Sequence, residues 1–175
     1  SVVNDFASEQ GYSVEIPDGF LAMVADRHQG ETKNKNKEVV SIDVEPTKLD
    51  FYEYMDKRSF TSKVIFSKNN SIALKNTLFY PEGGGQLGDT GIIEWNDKKS
   101  EVIDVQKIGD VVVHQIEGEL PPIGAEISGT IDDNRRSSLS RHHTATHLIG
   151  AAAREILGSH VWQAGASKSI DRARL

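Results

Sequence analysis

The feature that most constrains the fold is a run of short β-rich segments between residues 39 and 131. Apolar and polar residues alternate within these segments, as in half-buried strands, and turn signals such as NDKK and EGELPPIG separate them. Several short strands at this spacing predict a compact barrel or a strongly bent sheet. The segments are FTSKVIFSK, NSIALKNTLFY, TGIIEW, EVIDVQKI, VVVHQI and AEISGTID.

The sequence before the barrel has a different pattern. Residues 1–28 are predicted to be mostly helical, with Pro17 opening a turn ahead of an apolar stripe. The next ten residues, QGETKNKNKE, are polar and charged and show no periodicity. We therefore interpret residues 1–38 as a helical segment followed by a linker or exposed loop.

A long helix is predicted after the barrel. Asp132 or Asp133 supplies its N-cap, the helix covers residues 134–157, and Gly158 ends it. The sequence that follows predicts a strand, a glycine-containing turn and the start of a second strand. The predicted fold class is therefore α+β, with a helical lead-in (1–38), a small β-barrel carrying a glycine-rich loop (39–131) and the start of a helix-on-antiparallel-sheet core (132–175).

Composition excludes several classes of protein. With 37% hydrophobic and 26% charged residues the chain is ordinary for a globular protein, and no apolar run approaches the roughly 18 residues that a membrane span needs. No signal-peptide pattern is present at the start, and the lack of cysteine excludes thiolate ligands within the chain, so we expect a cytoplasmic location. The net charge of -6 argues against a whole-surface nucleic-acid binder but leaves room for a local basic patch.

Two histidines four residues apart lie in the predicted long helix, within HHTATH. His143 and His147 share one helix face and can reach one metal ion, which would supply half of a zinc site. A polar helix face explains the pair equally well. The glutamate of the HExxH metalloproteases is missing between them. His142 points about 100° away and is interpreted as a solvent or packing residue.

Glycines and polar residues mark two further stretches. In TLFYPEGGGQLGDTG, three successive glycines allow a close backbone approach to a ligand, although a tight turn explains them equally. In HVWQAGASKSIDRARL, the amide of Gln163 suits the orientation of a carbonyl or hydroxyl group, although most glutamines face solvent. Arginines that together could meet phosphates are Arg135, Arg136, Arg141, Arg172 and Arg174.

Taken in order, FYPEGGGQ, the D-x-G of Asp89 to Gly91, RHHTATH, HVWQAGA and DRAR closely resemble the editing domain of alanyl-tRNA synthetases and the free-standing AlaX-type deacylases. The likeness runs from about Thr47 to Leu175. HHTATH and VWQAGA look most like the archaeal synthetases. IPDGFLAMVADRH also looks like the segment that precedes editing in the synthetases, which minimal AlaX proteins lack. The resemblance therefore favours part of a synthetase over a complete small deacylase.

The resemblance implies roles for individual residues. His143 and His147 match zinc ligands, Gln163 matches the pocket glutamine, and Thr77 matches a position that contacts the hydroxyl of a misattached serine. The other two zinc ligands of the family come from a C-x-x-x-H motif downstream of Leu175, so two of four ligands are expected in this chain. The expected catalytic residues are Gln163 and Thr77, and the expected substrate contacts are Gly83, Gly84, Gly85, Gln86, Arg172 and Arg174.

The implied activity is hydrolysis of mischarged Ser-tRNA(Ala) or Gly-tRNA(Ala). An apolar pocket rejects an added hydroxyl poorly, so a synthetase benefits from a second, hydrolytic site. The parent enzyme would attach alanine to tRNA(Ala) with ATP and magnesium. The alternatives left open are a non-catalytic tRNA-binding module, a free-standing AlaX-type deacylase and a generic metal hydrolase, and the oligomeric state is also open.

Overall fold

The computed structural model describes residues 44–54 and 56–175. The predicted helical segment and linker over residues 1–38 lie outside this range. The elements are β1 (Lys48–Leu49), a short 3-10 helix (Asp50–Tyr52), β2 (Ser59–Lys68), β3 (Ser71–Leu74), β4 (Asn76–Thr77), β5 (Gly91–Trp95), β6 (Lys98–Ile108), β7 (Val111–Glu117), β8 (Glu126–Ile131), α1 (Asp133–Leu157), β9 (Ser167–Lys168) and β10 (Ala173–Arg174).

Six of these strands close into a barrel. Their order around it is β2-β3-β7-β6-β5-β8, and every neighbouring pair is antiparallel. Strand β8 shows the underlying pattern: Ile127 and Ile131 point into the core, while Glu126, Ser128 and Thr130 are exposed. The predicted barrel and α+β fold class are confirmed.

Turns and irregularities in the strands allow a small barrel to close. Two hairpins turn through Asn69-Asn70 and Asn96-Asp97, whose φ angles are all positive, as a type I′ turn requires. The register shifts between Val64 and Phe66 in β2 and between Val102 and Asp104 in β6. Such bulges increase local bending, which helps a sheet to curl onto itself.

The barrel encloses one large apolar core. Its side chains come from all six strands and from the segment between β4 and β5. Burying one such side chain stabilises the fold by about 1.5–3 kcal/mol relative to leaving it exposed. The core residues are Val64, Ile72, Leu74, Leu78, Phe79, Ile93, Trp95, Val102, Val105, Val112, Ile116, Ile127 and Ile131.

Helix α1 begins and ends where its capping residues predicted. The Asp132 carboxylate accepts a hydrogen bond from the Arg135 N–H at 3.1 Å, which satisfies one free donor of the first turn. At the other end Gly158 has a φ of 110° and its N–H donates to the Arg154 carbonyl at 3.0 Å. No helix in the described part of the chain is long and apolar enough to cross a membrane.

The strand predicted directly after Gly158 is wrong. Residues 161–166 belong to no regular element, and the strands that do form are β9 and β10, which pair antiparallel to each other. Val161 and Trp162 favour a strand locally, but that preference needs a partner strand, and none of the described strands lies beside them.

Candidate functional site

The two histidines of the HxxxH pair lie next to each other on α1. The ring centroids of His143 and His147 are 5.0 Å apart, with 32° between the ring planes. Two imidazoles sharing one tetrahedral zinc, each at about 2.0–2.1 Å, have a similar centroid separation of roughly 5 Å. Within the described residues, no group of three or more His, Cys, Asp or Glu side chains is placed to hold a metal. The spacing of the two rings therefore fits two ligands of one metal ion, and such a site would need further ligands from outside the described residues.

His143 faces the glycine-rich loop rather than open solvent. Its Nδ1 lies 2.8 Å from the side-chain oxygen of Gln86, a residue that is almost fully buried. Burial lowers the pKa of His143, and the charges of Lys168 and His147 lower it further. A lowered pKa favours the neutral ring, which is the form that binds metals.

The glycine-rich loop has a conformation that depends on its glycines. Gly83 and Gln86 exchange backbone hydrogen bonds of 3.0 and 2.9 Å, so the loop doubles back within four residues. Gly84 and Gly85 have φ angles of 58° and 75°, a region that L side chains rarely adopt. A Cβ atom on Gly85 would also overlap the carbonyl group of Ala166. The loop is therefore a tight turn packed closely against the segment before β9.

Lys168 ties this loop to β9 and was not among the residues predicted for the site. Only 3% of the residue is exposed, and its ammonium group donates to the Gly84 carbonyl at 2.7 Å. Its backbone N–H donates to the Gly85 carbonyl, also at 2.7 Å. The only sequence signal was a lysine among small residues in GASKS, which does not distinguish a buried lysine from a surface one.

A buried ion pair docks α1 onto the barrel. The Arg136 guanidinium binds both carboxylate oxygens of Asp89 and also donates to the Leu78 carbonyl at 2.7 Å. Asp89 accepts a further hydrogen bond from the Tyr80 N–H at 2.7 Å. Arg135 likewise points inward, donating to the Gly88 carbonyl at 3.1 Å. These two arginines, predicted as part of a phosphate-binding group, are used to attach the helix.

Thr77 lies inside the barrel. It is 0% exposed, its hydroxyl accepts from the Phe79 N–H at 3.1 Å, and it bonds Nε2 of His114 at 2.9 Å. His114 is also fully buried, and burial lowers its pKa to about 4. Both of these partners of the buried Thr77 hydroxyl belong to the barrel, and substrate contact by Thr77 stays a prediction.

A cavity of about 670 Å³ opens on the other side of the histidine pair. Its lining includes His147, Trp162, Gln163, Arg154 and Leu175, along with the small residues of the second half of α1. Gln163 and Trp162 are both exposed. The structure thus brings Gln163 to the same cavity as His147, while Thr77 lies in the barrel core.

The remaining predicted substrate contacts lie on two separate surfaces. Gly83 is half-buried, Gly84 and Gly85 are exposed with Gly84 next to His143, and Gln86 is buried. Arg172 and Arg174 are exposed on the β9–β10 hairpin. His142, predicted to be a packing or solvent residue, is partly buried, and its Nδ1 lies 2.7 Å from the Ser169 carbonyl in this hairpin.

Comparison with known proteins shows the family of this chain. The family model for class II (A) tRNA synthetases matches residues 1–135, and the chain belongs to that family. The match ends in the first turn of α1, before His143. The expected likeness to alanyl-tRNA synthetases is confirmed by relatives that cover nearly the whole chain.

Three of these relatives, each an alanine–tRNA ligase, serve as examples. The one from Methanopyrus kandleri is 46% identical over 99% of this chain, that from Methanothermobacter thermautotrophicus 45% over 99%, and that from Thermoplasma acidophilum 43% over 99%. The chain covers 20%, 19% and 20% of these proteins respectively. It therefore spans about one fifth of the length of the relatives it matches.

Proposed function

We propose that this chain carries part of the editing site of an alanine–tRNA ligase, where the ester of Ser-tRNA(Ala) or Gly-tRNA(Ala) is hydrolysed. The observation that carries the proposal is the position of the HxxxH pair. His143 lies against the glycine-rich loop and His147 lines the cavity that contains Gln163. Attachment of alanine to tRNA(Ala) with ATP and magnesium is proposed for the whole enzyme, on the names of its relatives.

His143 and His147 would hold a zinc ion together with ligands from outside the described residues. Their ring separation of 5.0 Å and the neutral state favoured at His143 support this assignment. When bound, zinc would polarise the ester carbonyl or activate a water molecule. The residues of this chain would keep the two imidazoles on one face of a capped helix.

The cavity beside His147 would receive the amino acid. Its lining combines apolar side chains of α1 with the amide of Gln163, which can both donate and accept hydrogen bonds to the aminoacyl group. Arg172 and Arg174 are exposed on the hairpin next to α1 and would meet backbone phosphates of the tRNA. A pocket of this kind separates seryl or glycyl esters from the correct alanyl ester after transfer.

The test combines metal binding with hydrolysis. Zinc binding to the 175-residue chain is measured by titration calorimetry for His143→Ala and His147→Ala, with the exposed His160→Ala as the matched control. We expect both site variants to lose binding and the control to keep it. In a full-length alanine–tRNA ligase carrying this sequence, His143→Ala should abolish deacylation of Ser-tRNA(Ala). Undiminished deacylation would contradict the proposal, and tRNA binding without zinc or hydrolysis would favour a non-catalytic module.

A further inference from the structure

The side chain of Gln86 faces His143, although the sequence predicted a substrate contact. Its amide oxygen lies 2.8 Å from His143 Nδ1, and only 5% of the residue is exposed. An amide oxygen only accepts hydrogen bonds, so the proton of the neutral ring is placed on Nδ1. The second ring nitrogen, Nε2, then keeps its lone pair and is the one available to a metal.

The backbone around Gln86 is fixed from two directions. On one side Gln86 forms the paired hydrogen bonds with Gly83, at 3.0 and 2.9 Å. On the other side Lys168 holds the loop: its N–H donates to Gly85 and its carbonyl accepts from Leu87 at 3.4 Å. The buried Lys168 ammonium adds a third tie to the same loop. The backbone of Gln86 is therefore fixed, and burial restricts the side-chain amide that faces the imidazole.

We propose that Gln86 is a positioning residue that sets the tautomer and ring orientation of His143. A metal-binding histidine commonly donates its second N–H to an oxygen acceptor, which fixes the ring and directs the free nitrogen at the ion. This explains why the tight glycine-rich loop lies against α1: its fold brings the Gln86 amide to the ring. The use of the free nitrogen for zinc rests on the proposed function, but the tautomer does not.

The neighbouring His142 serves as an internal control for this inference. His142 Nδ1 lies 2.7 Å from the backbone carbonyl of Ser169, so its proton is also placed on Nδ1, by an acceptor that no side-chain substitution removes. His142 should therefore keep its tautomer whatever residue occupies position 86. A change confined to His143 then reports on Gln86 itself rather than on a general loosening of α1.

The first measurement is long-range ¹H–¹⁵N NMR of the histidine rings in the metal-free 175-residue chain, at about pH 8, where histidine is neutral. We expect the Nδ1–H form at His143 and at His142. Gln86→Leu should release the His143 proton to Nε2, whereas Gln86→Glu, which retains an oxygen acceptor, should keep it on Nδ1. An Nε2–H form at His143 in the unsubstituted chain would overturn the inference, even if no variant folds.

The second measurement is zinc affinity by competition with a chelating dye. We expect Gln86→Leu to weaken binding by about 10–100-fold, the usual effect of removing an outer-shell partner, and Gln86→Glu to restore it. Gln106→Leu is the matched control, because Gln106 contacts Glu82 in the same loop at 2.7 Å. Equal affinity and tautomer in Gln86→Leu and in the unsubstituted chain would overturn the inference. If no variant binds zinc but the tautomer still follows position 86, the metal proposal fails and the positioning role stands.

Discussion

The barrel buries most of its large apolar side chains, whereas the second half of α1 leaves its own exposed. In the barrel, Ile72, Leu74, Phe79 and Ile93 are all 0% exposed. Beyond His147 the large apolar side chains of the helix are exposed to solvent. These are Leu148 (66% exposed), Ile149 (58%), Ile156 (79%) and Leu157 (62%). A closed barrel completes its hydrogen bonds and its core from its own strands, whereas a single helix can bury an apolar face only against another element.

The HxxxH pair lies at the boundary between these two regions. The first half of α1 is attached to the barrel by Leu139, which is 0% exposed, and by the ion pair between Arg136 and Asp89. His143, in this attached half, contacts the loop through Gln86, while His147 is exposed. Of the two proposed zinc ligands, one is therefore hydrogen-bonded to the loop and the other borders the open cavity.

The difference in burial is tested most directly by truncating one apolar side chain in each region. Phe79→Ala should lower the free energy of unfolding by about 3–5 kcal/mol, because it empties a large volume in a packed core. Ile156→Ala, in the open half of α1, should change it by less than about 0.5 kcal/mol. Urea unfolding of the 175-residue chain measures both. Similar losses in the two variants would mean that the end of α1 is packed in solution.

Removing the ion pair that attaches α1 to the barrel should have an effect of similar size. Arg136→Met should cost about 3–5 kcal/mol, because it leaves the Asp89 carboxylate buried without its cation. The matched control is Lys98→Met, which removes a surface ion pair with Glu119 and should cost at most about 1 kcal/mol. Both are measured by urea unfolding. Equal losses would mean that the ion pair between Arg136 and Asp89 stabilises the fold no more than a surface ion pair does.

Acid should weaken the barrel through His114. Its pKa falls from 6.5 to about 4 on folding, so between these values the unfolded chain binds a proton that the folded chain excludes. Stability contributed by the neutral ring is complete above pH 6.5 and is lost as the pH falls toward 4, by about 3 kcal/mol in total. His114→Leu should remove this part of the pH dependence, while the exposed His160→Gln should leave it unchanged. An unaltered slope in His114→Leu would contradict the assignment.

Substitution of Thr77 should have the smallest effect on stability, and it distinguishes a structural role from contact with the substrate. Thr77→Val should destabilise the barrel by about 1–2 kcal/mol, because the Phe79 N–H and His114 Nε2 lose their buried partner. Thr77→Ser retains the hydroxyl and should restore most of that loss. If Thr77→Val were as stable as Thr77→Ser yet failed to hydrolyse Ser-tRNA(Ala) in a full-length ligase, substrate contact would be its main role.

Local patterns were sufficient wherever structure depends on neighbours in the chain. The alternation in β8, the turn at Asn96-Asp97 and the caps at Asp132 and Gly158 each follow from a few adjacent residues. Local β propensity was not sufficient at Val161 and Trp162, which pair with none of the described strands. The placement of Thr77 in the core was also missed, because its motif said nothing about which way the hydroxyl points.

The sequence by itself determined the six barrel strands, the limits of the long helix and the shared face of His143 and His147, because these depend on spacings of a few residues. Only the tertiary structure decided which distant groups meet. Gln86 reaches His143 across 57 residues, Asp89 reaches Arg136 across 47, and Lys168 reaches Gly84 across 84. Such contacts depend on how the closed barrel presents its glycine-rich loop to α1, and no local preference of the chain encodes that.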